Sequence, residues 1–259
     1  MKTILSAHND TVKYWKQLAQ KPLQENDRSV LFFAEGEHMC MEAISSGKAV
    51  TLIIQQDRLD RFSALSAQFH SDDLYIVSPE VMKQICDTRT PQGIACVCRI
   101  SAENTDNASK IVALEGVQDP GNVGTILRTM DAAGFDQLII NRNCANPFGP
   151  KASRASMGAI FRIGITFTDD LPDFLKTLDK KGFSILAGEL QGHDLFATDY
   201  DPKNVCILIG NEGTGLTDDA KAVSNTHIRI PMPGNAESLN AGVACAIMIY
   251  DVLRRESVH

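Results

Sequence analysis

Long apolar runs are what this chain of 259 residues most plainly lacks. Its longest ones fall far short of the ~20 residues that carry a helix across a bilayer, so no membrane span is expected. Positive charge is also in short supply: 25 lysines and arginines face 32 aspartates and glutamates, a formal net charge of −7. Broad nonspecific nucleic-acid binding rests on phosphate neutralisation, and this balance argues against it while leaving room for a local basic patch. Cysteine pairs with metal-site spacing are absent. The seven thiols (40, 86, 96, 98, 144, 206 and 245) are scattered through apolar segments, and Cys96-Val-Cys98 has no second pair near it. No zinc site is read, and reduced thiols in a cytoplasmic protein are the simple expectation. The six histidines stand singly, so neither a Ser-His-Asp nor a metal-ligand spacing arises; His193 reads as a surface loop residue. The N-terminus, MKTILSAHNDTVKYW, turns polar too soon for a secretory signal. There is no internal repeat and no low-complexity tract.

What is present is a globular composition, 44% apolar and 22% charged, long enough for one or two domains. Strands alternate with helices in both halves, which indicates an α/β class. The first half reads as helix 9–20 capped by Asn9 or Asp10, strand 30–33, helix 39–46, strand 50–54, helix 58–69, strand 74–77, helix 79–86 capped by Ser78, and strand 94–97. The stretch SAENTDNASK, 101–110, holds no apolar residue larger than alanine and reads as a linker. Domains are therefore expected at 1–102 and 111–259, joined by 103–110. The second half reads as strand 111–114, helix 123–133 capped by Asn122, strand 137–140, a loop and helix within 147–161, strand 163–167, helix 172–180, strands 183–187, 205–209 and 228–230, and a closing helix.

Three polar, glycine-bearing stretches each follow an apolar strand in this second half. In the first, the turn Asp119-Pro120-Gly121-Asn122 leads into a helix bearing Arg128, whose guanidinium suits a phosphate or carboxylate, or else a structural salt bridge. The second, ILIGNEGTGL (207–216), spaces its glycines G-x-x-G-x-G around Glu212, which is neither a dinucleotide fingerprint nor a lysine-bearing phosphate loop. The third runs from Ile228 through Pro231, Pro233 and Gly234 to Glu237, Ser238 and Asn240, which open a helix of small residues, Ala241, Gly242, Ala244, Cys245 and Ala246. Gly242 weakens a helix interior by ~1 kcal/mol against alanine, which suggests a packing or site requirement. Three such loops at strand ends are what a ligand crevice in an α/β domain needs.

The stretches Asn122-Val-Gly-Thr-Ile-Leu-Arg128-Thr, Ile209-Gly-Asn-Glu-Gly-Thr-Gly-Leu216 and Ile230-Pro-Met-Pro-Gly-Asn-Ala-Glu-Ser-Leu-Asn240 resemble, in order, the three motifs of the SpoU/TrmH-type (SPOUT class) RNA 2′-O-ribose methyltransferases. The likeness covers 111–255 and includes PKASRASMGAIFRI, 150–163. LFFAEGEHMCMEAI and TRTPQGIACV in the first half resemble the small α/β substrate-binding domain, itself like some ribosomal RNA-binding proteins, that often precedes it. The resemblance implies a C-terminal α/β trefoil-knot methyltransferase domain, an exception to the rule that chains do not thread loops. It implies S-adenosylmethionine as cofactor, held around Glu189, Leu190, Ile209, Gly210, Gly213, Ile230, Met232 and Leu239, with no metal.

It also implies a homodimer, and ribosomal RNA as substrate ahead of transfer RNA, with no role for DNA or a membrane. The chemistry implied is attack of a ribose 2′-hydroxyl on the sulfonium methyl. Arg128 would activate that hydroxyl, with Asn122, Glu212, Ser238 and Asn240 shaping the site. A guanidinium, with a pKa above ~12, serves as a literal base only after a strong shift or with help from an RNA phosphate; otherwise it orients the hydroxyl and neutralises its developing charge. Lys151, Arg154 and Arg162, and Lys13, Lys16, Lys21 and Arg28 at the N-terminus, are the cations offered to RNA. One departure is Asn240-Ala241-Gly242 where many members have Asn-Val-Ser, which removes a hydroxyl. A non-catalytic RNA-binding or assembly factor and a small-molecule methyltransferase are the competing readings; the acidic charge favours the latter and the N-terminal half disfavours it.

Overall fold

Two compact units emerge from the chain, and their division differs from a single cut at the linker. The computed structural model describes residues 1–26, 29–101, 107–141 and 143–257; Arg28 and residues 103–106 of the expected linker lie outside the described residues. Unit 1 comprises Met1–Ala102 together with Pro147–Arg162, and unit 2 comprises Glu103–Asn146 and Ile163–His259. The expected domain 111–259 is thus interrupted by a segment that folds with the first unit. The physical reason is apolar and ionic. Phe148 and Phe161 pack on the buried Phe32, with ring centroids 5.3 and 5.9 Å away. Arg154 and Arg162 pair with Glu35 and Glu42.

Unit 1 is a six-stranded mixed sheet in the order β1-β5-β4-β6-β3-β2. Its strands are β1 (Lys2–Ile4), β2 (Leu23–Asn26), β3 (Ser29–Glu35), β4 (Ala49–Gln55), β5 (Leu74–Val77) and β6 (Ile94–Ser101). Alternation along β3 and β6 sends Leu31, Phe33, Ala95 and Val97 into a core with Val12, Trp15 and Leu18 of α1 (Asp10–Gln20) and Val81, Met82 and Ile85 of α4 (Pro79–Ile85). The helix α2 (Glu37–Ser45) packs on β3 and β6. Asn9 and Ser78 cap α1 and α4 through their side chains, as their sequence positions imply. Where a helix was expected over 58–69, only α3 (Ser63–Ser66) forms, after a 3-10 turn at Gln56–Arg58. Of its apolar stripe only Phe62 is buried, and a stripe without a core to cover does not sustain a helix.

Unit 2 is a wholly parallel sheet in the order β12-β10-β11-β7-β8-β9. Its strands are β7 (Lys110–Leu114), β8 (Gln137–Asn141), β9 (Gly164–Thr168), β10 (Ser184–Asp194), β11 (Val205–Ile209) and β12 (Thr226–Arg229). The run Val-Cys-Ile-Leu-Ile of β11 is buried throughout, as a strand covered on both faces requires. One face is covered by Leu171, Leu175 and Leu178 of α7 (Leu171–Lys180) and Ala220 of α8 (Asp218–Val223), packed on Ile111, Ala113, Ile185, Cys206 and Leu208. α5 (Pro120–Ala132) and α9 (Ala241–Glu256) pack on each other, and α9 also packs on β11. Helix α6 (Pro150–Ala155) belongs to unit 1. Among the described residues no helix is long and apolar enough to cross a membrane.

The C-terminal end of α9 is pinned by a buried carboxylate. Asp251 accepts hydrogen bonds from Tyr200 Oη (2.7 Å), Arg254 Nη2 (2.7 Å) and Arg255 Nε (2.7 Å). Burial by itself would raise its pKa, but the bonds from Arg255, Tyr200 and Arg254 outweigh that and hold it below the usual aspartate range. A carboxyl that is more acidic when folded stabilises the fold above the unfolded pKa of ~4 and ceases to as pH falls through the lower folded value. Asp251→Asn should therefore cost about 2–3 kcal/mol in urea unfolding at pH 7, because it leaves two guanidinium groups short of a partner. The gap to wild type should narrow at pH 3; a gap independent of pH would show that the charge contributes nothing.

Candidate active site

The loop leaving β7 is held on every side by polar groups of unit 2. Glu115, buried, accepts from Thr217 N and Oγ1, both at 2.8 Å. Gly116 N–H donates to Asn141 Oδ1 (3.1 Å), its carbonyl accepts from Asn211 Nδ2 (2.7 Å), and Val117 N–H meets Cys144 Sγ at 3.2 Å. Pro120 then starts α5, and the capping side chain is Asp119, which accepts from Gly121 N at 2.8 Å. Asn122 is therefore not the cap that the sequence suggested. It lies in the first turn with its side chain turned inward and buried.

That inward turn joins the three polar stretches. Asn122 Nδ2 donates to Glu212 Oε1 (2.9 Å), and Asn122 Oδ1 accepts from Asn240 Nδ2 (2.9 Å). Asn240 Oδ1 in turn accepts from the N–H groups of Gly242 (3.0 Å) and Val243 (3.2 Å), capping α9. The polarity of this relay is fixed at both ends, since helix N–H groups only donate and a carboxylate only accepts. It delivers the positive end of α9 toward Glu212 through two amides. Ser238, expected to help open the helix, is exposed and precedes the cap. Burial favours the neutral form of Glu212, but hydrogen bonds from Asn122 and from the backbone of residues 212, 118 and 119 prevail, keeping its pKa below the usual glutamate value. Gly242 also finds its reason. A Cβ there would lie 3.2 Å from Asn240 Oδ1, 3.4 Å from Asn122 Oδ1 and 3.4 Å from Thr125 Cγ2, crowding the relay.

Arg128 is exposed and, among the described residues, has no ion pair or hydrogen bond. It follows Gly121 and Thr125 on one stripe of α5, one turn beyond the threonine that neighbours Gly242. An uncommitted guanidinium beside an ordered amide–carboxylate relay is suited to meeting an anion or a developing oxyanion.

Several of the residues expected to hold a cofactor lie on three neighbouring strands of unit 2 or directly after them. β12, β10 and β11 are adjacent and parallel, with Gly188 opposite Ile228 and Ala187 opposite Leu208. Ile209-Gly210 and Ile230 thus lie at the C-terminal ends of β11 and β12, the position where open parallel sheets bind ligands, and Glu189-Leu190 fall where β10 bulges between Gly188 and His193, both of which pair with Ile228. Leu190 is exposed, and Ile230, Met232 and Leu239 are half-buried. This mixture of uncovered apolar side chains and loop backbone fits a nucleoside with an aliphatic tail. Gly213 is exposed in the loop, where its N–H donates to Asn211 Oδ1 (2.9 Å). The carboxylate of Glu189 is turned to His227 Nδ1 (2.7 Å), with Lys221 Nζ at 3.9 Å.

The cations expected to meet RNA are placed as follows. Arg154 donates to Glu35 Oε1 (2.7 Å) and Asp87 Oδ2 (2.8 Å), so its guanidinium ties α6 to the rest of unit 1. Arg162 is paired with Glu42, and Lys13 with Asp10. Lys151 is exposed. Sequence reasoning missed Glu115, Asn141, Cys144 and Asn211, which hold the loops in place; a polar residue directly after an apolar strand was the available signal.

Residues 109–250 match the model of the SpoU rRNA Methylase family, and residues 9–96 match the MRM3-like substrate binding domain. The chain is 34% identical over 250 residues to the 23S rRNA (guanosine(2553)-2′-O)-methyltransferase RlmP of Bacillus subtilis, covering 96% of this chain and 98% of that one. An AdoMet-bound rRNA methyltransferase from Sinorhizobium meliloti superposes with a TM-score of 0.84 at 31% identity, over 98% of both chains. The SpoU methyltransferase AviRb of Streptomyces viridochromogenes shares the fold, with a TM-score of 0.80 at 22% identity over 97% of this chain and all of that one. With its three motifs meeting in one hydrogen-bonded relay and its length matched almost end to end, this chain belongs to the SpoU rRNA methylase family.

Proposed function

We propose that the protein transfers a methyl group from S-adenosylmethionine to a ribose 2′-hydroxyl of ribosomal RNA, with the 23S molecule as the substrate. The observation that carries this reading is the Glu212–Asn122–Asn240 relay, with the uncommitted Arg128 on the adjoining stripe of α5. The 2′-O specificity and the RNA named for the Bacillus relative support it. S-adenosylmethionine supplies an electrophilic methyl on a sulfonium centre. Gly210, Ile230, Met232 and Leu239 are the residues that would hold it, with the Glu189-Leu190 stretch near its adenosine. Arg128 orients the incoming hydroxyl and offsets the charge that develops as its proton leaves. Glu212, kept ionised, holds Asn122 through one oxygen and the Gln118 N–H (3.4 Å) through the other, so the loop between β7 and α5 stays in register.

The trefoil knot belongs to the same proposal. It is supported by the path of the chain, which places β12 outside β10 and then returns α9 to α5 and β11. A homodimer is supported by the exposed Val243 (48%) and Tyr250 (51%), seven residues apart on α9. A cytoplasmic location accords with seven free thiols. The test is transfer of labelled methyl from S-adenosylmethionine to total RNA of a strain lacking the gene, followed by ribose-methylation mapping. One 2′-O-methyl site in 23S RNA is the expected result. Label in transfer RNA would move the substrate. Cofactor binding without transfer to mature or precursor RNA would favour a non-catalytic assembly factor. Light scattering on the same preparation should return twice the chain mass.

A further inference from the structure

Unit 1 contains a cavity of about 260 Å³ on which the methyl-transfer chemistry makes no call. Its walls include His38, Met39, Thr88, Thr90, Gln92 and Met157. Two thioethers give it soft, polarisable faces of the kind that rest on π systems. The amide of Gln92 has a set direction: its Oε1 accepts from Glu37 N–H at 2.7 Å, so both Nε2 hydrogens remain to donate. Thr88 and Thr90 add hydroxyls that donate or accept. The carboxylates nearby are committed, Glu35 to Arg154 and to the N–H groups of Asp87 and Thr88, Asp87 to Arg154, and Glu37 to Arg61.

Two further observations point to a ligand. Met157 is the single non-glycine residue with positive φ (51°) among the described residues. An exposed, unbranched side chain is held in that costly conformation at the cavity rim while its carbonyl contacts His38 Nε2 at 3.2 Å. Two exposed arginines also adjoin the lining residues, in a chain of net charge −7. Arg89 stands exposed between the lining residues Thr88 and Thr90, and the stem of exposed Arg58 lies over Gly93, whose Cβ, if present, would be 2.7 Å from Arg58 Cγ. Neither arginine has an ion pair among the described residues.

We propose that this cavity receives one unpaired nucleobase of the substrate RNA, with Gln92 donating to a base acceptor, Met39 and Met157 against its face, and Arg58 and Arg89 on the adjoining phosphates. Single-stranded RNA is read in this way, by splayed bases seated in pockets and a backbone tracked by cations. The inference rests on the RNA-methyltransferase reading above and adds where unit 1 grips its substrate.

The experiment uses the full-length protein and an in vitro 23S rRNA fragment containing the mapped site. Thr88→Phe, which fills the cavity while keeping the residue's backbone bond to Glu35, should raise KM for the fragment about tenfold or more and leave the Kd for S-adenosylmethionine unchanged. Arg89→Ala, on the surface, should weaken RNA binding about fivefold and reduce the slope of log Kd against log salt by about one. A fragment carrying 4-thiouridine should crosslink to residues 88–92. A folded Thr88→Phe protein with wild-type KM, or Arg89→Ala with unchanged affinity and salt slope, overturns the proposal. If Thr88→Phe does not fold, the arginine variant and the crosslink decide. A wild-type protein that methylates no ribosomal RNA overturns the underlying reading instead, and this one with it.

Discussion

Replacing Arg128 by alanine should lower kcat/KM for methyl transfer about 10³-fold while leaving S-adenosylmethionine affinity and the melting temperature at wild-type values. The side chain is exposed and makes no partner contact among the described residues, so its removal takes nothing from the fold; substitutions of that kind usually change stability by less than ~0.5 kcal/mol. Its position on α5 is nevertheless fixed, because the helix is anchored through Asn122 to Glu212 and Asn240. The cost should therefore fall on the chemical step alone. Arg128→Lys separates two roles. A charge that merely offsets the oxyanion is partly replaced by an ammonium, whereas an orienting fork is not. Isothermal titration with S-adenosylmethionine and single-turnover transfer to the rRNA fragment make the comparison. Full activity in Arg128→Ala would remove this residue from the mechanism.

The sheet strands were the most legible part of the chain. Leu74–Val77 and Val205–Ile209 fall where the apolar runs fall, because a buried strand needs little more than a short β-branched run between turns. Short edge elements such as Lys2–Ile4 carried no such pattern, and α8 is too short to show a period. Helix starts were read less well than helix existence. Asn122 and Ser238 are good capping types, yet Asp119 and Asn240 take those positions. The residues that look like caps were available for other work, and in Asn122 that work is the relay. No local rule distinguishes an asparagine that caps its own helix from one that bonds a carboxylate 90 residues away. The same limit explains Arg154. Its sequence neighbourhood showed a cation, while Glu35 and Asp87, which neutralise it, lie 119 and 67 residues distant.

Gly210→Ala should be the most damaging single methyl in unit 2. A Cβ at this position would stand 2.4 Å from Gly215 C, 2.5 Å from Leu216 N and 2.7 Å from Gly215 O. All three are backbone atoms, which have no rotamer to retreat into, and overpacking of this kind costs about 1–3 kcal/mol or more. The loop has little slack to give. Asn211 and Gly215 exchange both backbone hydrogen bonds, at 3.1 and 2.9 Å, and Asn211 Oδ1 accepts from the N–H groups of Gly213 and Thr214. Opening that closure draws Asn211 off the Gly116 carbonyl and Glu212 off Asn122, so the cofactor loop and the relay fail together. The expected outcome is a melting temperature several degrees lower, S-adenosylmethionine affinity down at least about tenfold, and transfer down about 10²-fold or more. Gly234→Ala is the control for stability, since no atom lies within 4 Å of its Cβ position and its φ is not in the left-handed range; its melting temperature should match wild type. If Gly210→Ala instead binds the cofactor and transfers methyl as wild type does, the 210–216 loop neither holds S-adenosylmethionine nor positions Glu212, and the site must be sought elsewhere in unit 2.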